Sequence, residues 1–147
     1  MARVRSLAPD AIYQFHPGGT GINFVKQYAA AGLTKTIPML MPSFSMDARM
    51  IKATGDASQG TYITGIWSQD FDNPQSKAFV KAFKEAYGRV PTDYAMQTFD
   101  TAQLIGAGLK ATGGDLSKAA EFRAALRKAD FTSLRGKFRM NTNQHPI

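Results

Sequence analysis

The sequence predicts an α/β fold: a parallel sheet with flanking helices in the first 65 residues, then a run of helices. Three observations carry this. Short β-rich runs alternate with helical periodicity up to residue 65. Three amphipathic stripes, each with its own cap and stop residues, follow over 74–130. A chain of 147 residues that is 44% hydrophobic is long and apolar enough to bury a core without staples.

In chain order, Ala11-Ile12-Tyr13-Gln14-Phe15 is a strand candidate between Pro9-Asp10 and Pro17-Gly18-Gly19. Residues 20–31 read as a helix with Ile22, Val25 and Ala29 on one stripe and Gly32 as its stop. Residues 37–41, apolar except for Pro38, form the second strand and resemble a parallel strand covered on both faces. A short helix over 47–54 leads through Gly55-Asp56 to a third strand at 61–64. Strand, helix, strand, helix, strand at this spacing predicts two right-handed βαβ units.

Asn73-Pro74 then supplies an N-cap with Pro at the first helical position. Phe79, Val80, Phe83 and Tyr87 make the stripe of that helix, and Gly88 ends it. Thr92 caps the next, whose expected buried face holds Ala95, Phe99, Ala102, Ile105 and Leu109 before Gly113-Gly114. Ser117 is the expected cap of a third, carrying Phe122, Ala125, Leu126 and Ala129. Residues 135–140 alternate as a strand. Both ends read as cut: residues 3–7 resemble the last turns of a helix without a preceding strand, and 141–146 a turn leading onward. The chain is therefore expected to be a piece of a larger protein.

Composition excludes several chemistries. There is no cysteine, hence no disulfide framework, thiolate metal site or cysteine nucleophile. His16 and His145 are the two histidines, with no carboxylates at ligand spacing, so no metal is expected. No G-x-S-x-G, P-loop or paired-carboxylate signal points to catalysis, and no cofactor is implied. Of the net charge of +7, one unit falls in the first 73 residues and six in the rest. Lys77, Lys81, Lys84, Arg123, Arg127 and Lys128 sit opposite apolar positions at helical spacing. That is the pattern of solvated helix faces, not a nucleic-acid footprint.

Ligands of open α/β sheets bind beyond the carboxyl ends of the strands. Those ends are Phe15-His16-Pro17-Gly18, Pro42-Ser43-Phe44-Ser45 and Gly65-Ile66-Trp67. His16 stands where strand meets loop, as a donor to a ligand oxygen or as a solvated loop residue. Gly18-Gly19-Thr20-Gly21 offers backbone amides to an anion or forms a plain tight turn; the dinucleotide fingerprint fails at Phe24. Phe15, Phe44 and Trp67 are either ligand contacts or packing.

Several segments, in order and spacing, resemble the branched-chain amino acid type of periplasmic solute-binding proteins. They are Pro9-Asp10-Ala11-Ile12, Phe15-His16-Pro17-Gly18-Gly19, Ala29-Ala30-Ala31-Gly32-Leu33, Gly60-Thr61-Tyr62, Asn73-Pro74, Lys77-Ala78-Phe79, Pro91-Thr92-Asp93-Tyr94, Thr98-Phe99-Asp100, Leu126-Arg127-Lys128-Ala129 and Arg135-Gly136-Lys137-Phe138. The resemblance covers nearly the whole chain but only the C-terminal portion of a type I two-lobe fold. It implies that 1–65 belong to the second lobe and that 66–73 are a hinge crossover. Residues 74–130 would return to the first lobe, and 131–147 would cross back with a strand of the second.

The resemblance implies capture of a solute without chemistry, in the periplasm or outside the cell, and a membrane ABC transporter permease as partner. The implied ligand residues are Phe15, His16, Pro17, Gly18, Pro42, Ser43, Phe44 and Trp67. Amino-acid binders of this family set an acid in the second loop to pair with the ligand ammonium. None lies over 42–46, and Asp47 falls where it would cap a helix. A small aromatic or apolar carboxylate is expected over an amino acid. A ligand-sensing domain of a regulator shares the fold and would carry a helix-turn-helix upstream. The helices of 74–130 would lack their partner sheet in the isolated chain, which is expected to self-associate.

Overall fold

The computed structural model describes residues 1–146. The chain divides into two compact units, Met1–Ile66 and the residues from Trp67 onward.

The first unit runs α1 (Ala2–Leu7), β1 (Ile12–Tyr13), α2 (Gly19–Ala30), β2 (Met39–Pro42), α3 (Ala48–Thr54) and β3 (Tyr62–Thr64). The strands form one parallel sheet in the order β1-β2-β3, with Ile12 opposite Met39 and Leu40 opposite Tyr62. Successive side chains alternate across a strand. Met39 and Met41 therefore enter a core with Val25, Tyr28, Leu33, Ile37, Met46 and Met50, while Leu40 is half-buried and Tyr13 and Tyr62 are exposed. The second strand is thus covered on one face, not two. Tyr28 donates its hydroxyl to the Ile37 carbonyl at 2.9 Å, and burial pushes its phenol pKa up. Short 3-10 turns at Leu33–Lys35, Ser43–Ser45 and Gly55–Ser58 replace stretches read as loop, strand end or turn.

The second unit holds α4 (Pro74–Tyr87), α5 (Asp93–Thr112) and α6 (Ala119–Lys128). Asn73 and Thr92 cap α4 and α5 as expected, accepting from the amides of Ser76 and Ala95, and Gly88 and Gly113 close them in left-handed geometry. Three expectations are corrected. The buried face of α5 is Met96, Asp100, Gly108 and Thr112, while Phe99, Ile105 and Leu109 stay exposed. Packing decides this, because the Phe122 ring of α6 lies so close to Gly108 that a Cβ there would come within 2.6 Å of it.

Ser117 does not cap α6. Its amide and hydroxyl both donate to Asp115 Oδ1, and the helix starts at Ala119 without a side-chain cap. Residues 135–140 are no strand: only isolated bridges, Ser133 with Gly136 and Met140 with Pro146, occur among the described residues there. Side chains hold this segment instead. Asp100 accepts from Ser133 Oγ, the Leu134 amide at 3.1 Å and Arg135 Nε at 3.2 Å, and the Arg135 guanidinium lies over the Phe138 ring.

Candidate functional site

Adjacent parallel strands deliver the loops that follow them to one edge of their sheet. Here β1 leads into Gln14-Phe15-His16-Pro17-Gly18 and β2 into Ser43-Phe44-Ser45.

The first loop is shaped from the strand outward. Alternation puts Gln14 on the face of Ile12, toward the core, and it is 3% exposed. Its amide extends the ladder by donating to the Leu40 carbonyl, and its side-chain Nε2 donates to Met41 Sδ. Gln14 Oε1 accepts the His16 backbone N–H at 2.9 Å and lies 3.0 Å from His16 Nδ1. The His16 ring stacks on Phe24 of α2 with centroids 5.2 Å apart, and Phe24 stacks on Tyr28. The imidazole is thus held by one edge and one face. Gly18 turns the chain at φ +70°, and its carbonyl accepts from the Ile22 amide to start α2. Gly21 admits no side chain, because a Cβ there would sit 1.8 Å from the His16 carbonyl oxygen. Phe15, on the opposite face from Gln14, is 57% exposed, and Pro17 is exposed.

In the second loop Ser43 is 93% and Ser45 fully buried, and neither hydroxyl has a hydrogen-bond partner among the described residues. Buried hydroxyls without partners are costly and uncommon in a settled core. Pro42 and Phe44 are half-buried. Asp47 follows but is fully committed: Oδ1 accepts from the amides of Arg49 and Met50, and Oδ2 pairs with the Arg49 guanidinium at 2.8 Å. The segment 42–46 therefore carries aromatic and hydroxyl groups and no free carboxylate.

Trp67 belongs to the second unit. Its ring is buried edge-on to Phe79 at 6.1 Å, and its indole N–H donates to Ser76 Oγ at 2.9 Å. Both its surface and its one polar group are occupied by packing. No three His, Asp or Glu side chains converge as metal ligands among the described residues.

Sequence reasoning singled out His16 and Ser43 but passed over Gln14 and Ser45. The signal for Gln14 was present, since an amide at a core-facing strand position demands a partner. Ser45 gave none, because the 3-10 turn that buries it leaves no periodicity to read.

Four likenesses bear on what this arrangement does. Residues 1–147 match the family described as periplasmic binding protein. A solute-binding protein of an ABC transporter from R. palustris, solved in complex with benzoate, is 40% identical over 99% of this chain, with a TM-score of 0.91. A second such protein, from Rhodopseudomonas palustris BisB5 with 3,4-dihydroxybenzoic acid, is 31% identical over 97% of the chain (TM-score 0.83). A substrate-binding protein of an ABC transporter from Sphaerobacter thermophilus is 27% identical over 99% (TM-score 0.91). The chain spans 40%, 39% and 41% of those three proteins, respectively. No curated relative matches it.

Proposed function

The chain belongs to the periplasmic binding protein family, and we propose on that premise that it is part of the periplasmic solute-binding component of an ABC transporter. The proposed ligand is a small aromatic carboxylate, captured between two lobes of which this chain supplies the loops after β1 and β2. The observation that carries this reading is the 40% identity, over 99% of the chain, to a solute-binding protein holding benzoate.

The chemistry of the loops supports it. An amino acid would bring an ammonium group needing an anionic partner, and Asp47 is consumed by the cap of α3 and by Arg49. An aromatic acid needs apolar surface and neutral polar contacts. Phe15 and Phe44 offer the first; the Ser43 hydroxyl and the backbone at Gly18, where α2 starts without a side-chain cap, offer the second. Pro17 and Pro42 stiffen the two loop entries. Trp67 stays outside the proposed site, its indole being spent within its own unit.

Capture works by population shift: the solute binds the closed arrangement better than the open one, and the closed form docks on the permease. Titration calorimetry on the two-lobe protein tests the reading with benzoate and leucine. Tight benzoate binding with no response to leucine is expected; the reverse overturns it.

A further inference from the structure

We infer that Gln14 locks His16 in the tautomer protonated at Nδ1, so that the neutral ring offers Nε2 as a hydrogen-bond acceptor to a hydroxyl on the ligand ring. This deepens the reading above, on which it rests, by naming a positioning residue and a second substituent on the substrate.

Gln14 Oε1 is identified as oxygen because it accepts the His16 backbone N–H at 2.9 Å, and its amide nitrogen is directed to Met41 Sδ at 3.2 Å. An amide oxygen only accepts, so the 3.0 Å contact with Nδ1 requires the proton to be on Nδ1. A neutral imidazole has a single N–H, which leaves Nε2 with a lone pair and no proton. The ring cannot flip to present Nδ1 instead without losing that bond, and the stack on Phe24 holds its plane.

Gln14 is 3% exposed and tied at both ends, so the constraint is built into the end of the strand. An Nε2 acceptor meets a carboxylate with two lone pairs facing each other. A phenolic hydroxyl, which donates, meets it with a hydrogen bond. In the neutral ring the free nitrogen of His16 then selects a ligand that brings its own proton.

Two measurements on the two-lobe protein test this at about pH 8, where free imidazole is neutral. The 15N shifts of the His16 ring, identified by their loss in His16→Phe, are expected to show a protonated Nδ1 and a bare Nε2. In Gln14→Met they should move toward the opposite tautomer. Calorimetry is then run with benzoate, 3-hydroxybenzoate and 4-hydroxybenzoate. One hydroxy acid should bind about tenfold tighter than benzoate, and both variants should reduce that preference to about twofold or less.

A protonated Nε2 in the unaltered protein overturns the tautomer assignment, whatever binds. A hydroxyl preference untouched by His16→Phe overturns the role in selection. Failure of all three acids to bind counts against the carboxylate reading, while the 15N shifts still decide the tautomer.

Discussion

The two units solve the same problem, holding distant segments together, by different chemistry. In Met1–Ile66 the sheet does it: backbone ladders join β1, β2 and β3, and the core behind them is apolar, with four methionines among its eight residues. From Trp67 onward no strand occurs among the described residues, and the buried apolar cluster is only Trp67, Val80, Met96 and Leu134. Side-chain polar groups take the place of the ladder. Asp100 reaches Ser133, Leu134 and Arg135, and Asn73 Nδ2 donates to the Leu134 carbonyl 61 residues away. An irregular segment has backbone groups that must be paired when buried, and without neighbouring strands side chains must pair them.

In the second unit the most damaging single change is Asp100→Ala. It removes the acceptor of the Ser133 hydroxyl proton and of the Leu134 amide and leaves the Arg135 guanidinium, only 17% exposed, without its anion. The expected cost is about 3–5 kcal/mol, read as a lowered midpoint in denaturant unfolding. A loss under about 1 kcal/mol would mean that the polar network is not what holds the second unit.

In the first unit the equivalent weak point is steric. Gly21→Ala would put a Cβ 1.8 Å from a backbone oxygen that has nowhere soft to yield, and 3.1 Å from Met50 Cε. Overpacking of this kind costs about 1–3 kcal/mol. The loop at 16–18 must shift, so ligand affinity should fall together with the melting temperature. Ser43→Ala should separate the two readouts. Its hydroxyl has no partner to lose among the described residues, so stability should hold or rise slightly, while calorimetry should show binding weakened by about 1–3 kcal/mol if the hydroxyl meets the ligand.

Legibility in the sequence divides along the same line. Helices α4 and α5 were readable because period, cap and stop agree at each, Asn73-Pro74 with Gly88 and Thr92 with Gly113; α2 and the three strands were readable from period and the Gly and Pro residues around them. The buried face of α5 was misread because its buried positions, Met96, Asp100, Gly108 and Thr112, form no apolar stripe, and the Gly108–Phe122 contact turns that face inward. Residues 135–140 alternate like a strand, yet β structure needs a neighbour to pair with, and Asp100 claims the Leu134 amide. In the site, loop positions followed from topology alone. The Gln14–His16 tie and the buried hydroxyls of Ser43 and Ser45 depend on side-chain placement that no periodicity encodes.

Within the second unit a solvent-exposed ion pair stands against the buried one at Asp100. Asp72 pairs with Lys77 at 2.5 Å, as close as any pair around Asp100, but both side chains stand in solvent, 87% and 68% exposed. The Lys77 hydrogen bond and charge lower the Asp72 pKa below the usual carboxylate value. A depressed folded-state pKa stabilises above the unfolded value and loses that contribution as pH falls through the folded one. Any benefit is therefore present near neutrality and gone in strong acid. In water the attraction is screened and offset by ordering two mobile chains. Lys77→Ala should leave the unfolding midpoint unchanged at about 0.15 M salt. At low ionic strength any loss should appear only above about pH 4, the carboxylate range. A loss at physiological salt comparable with that of Asp100→Ala would show that proximity, and not burial, sets the worth of these pairs.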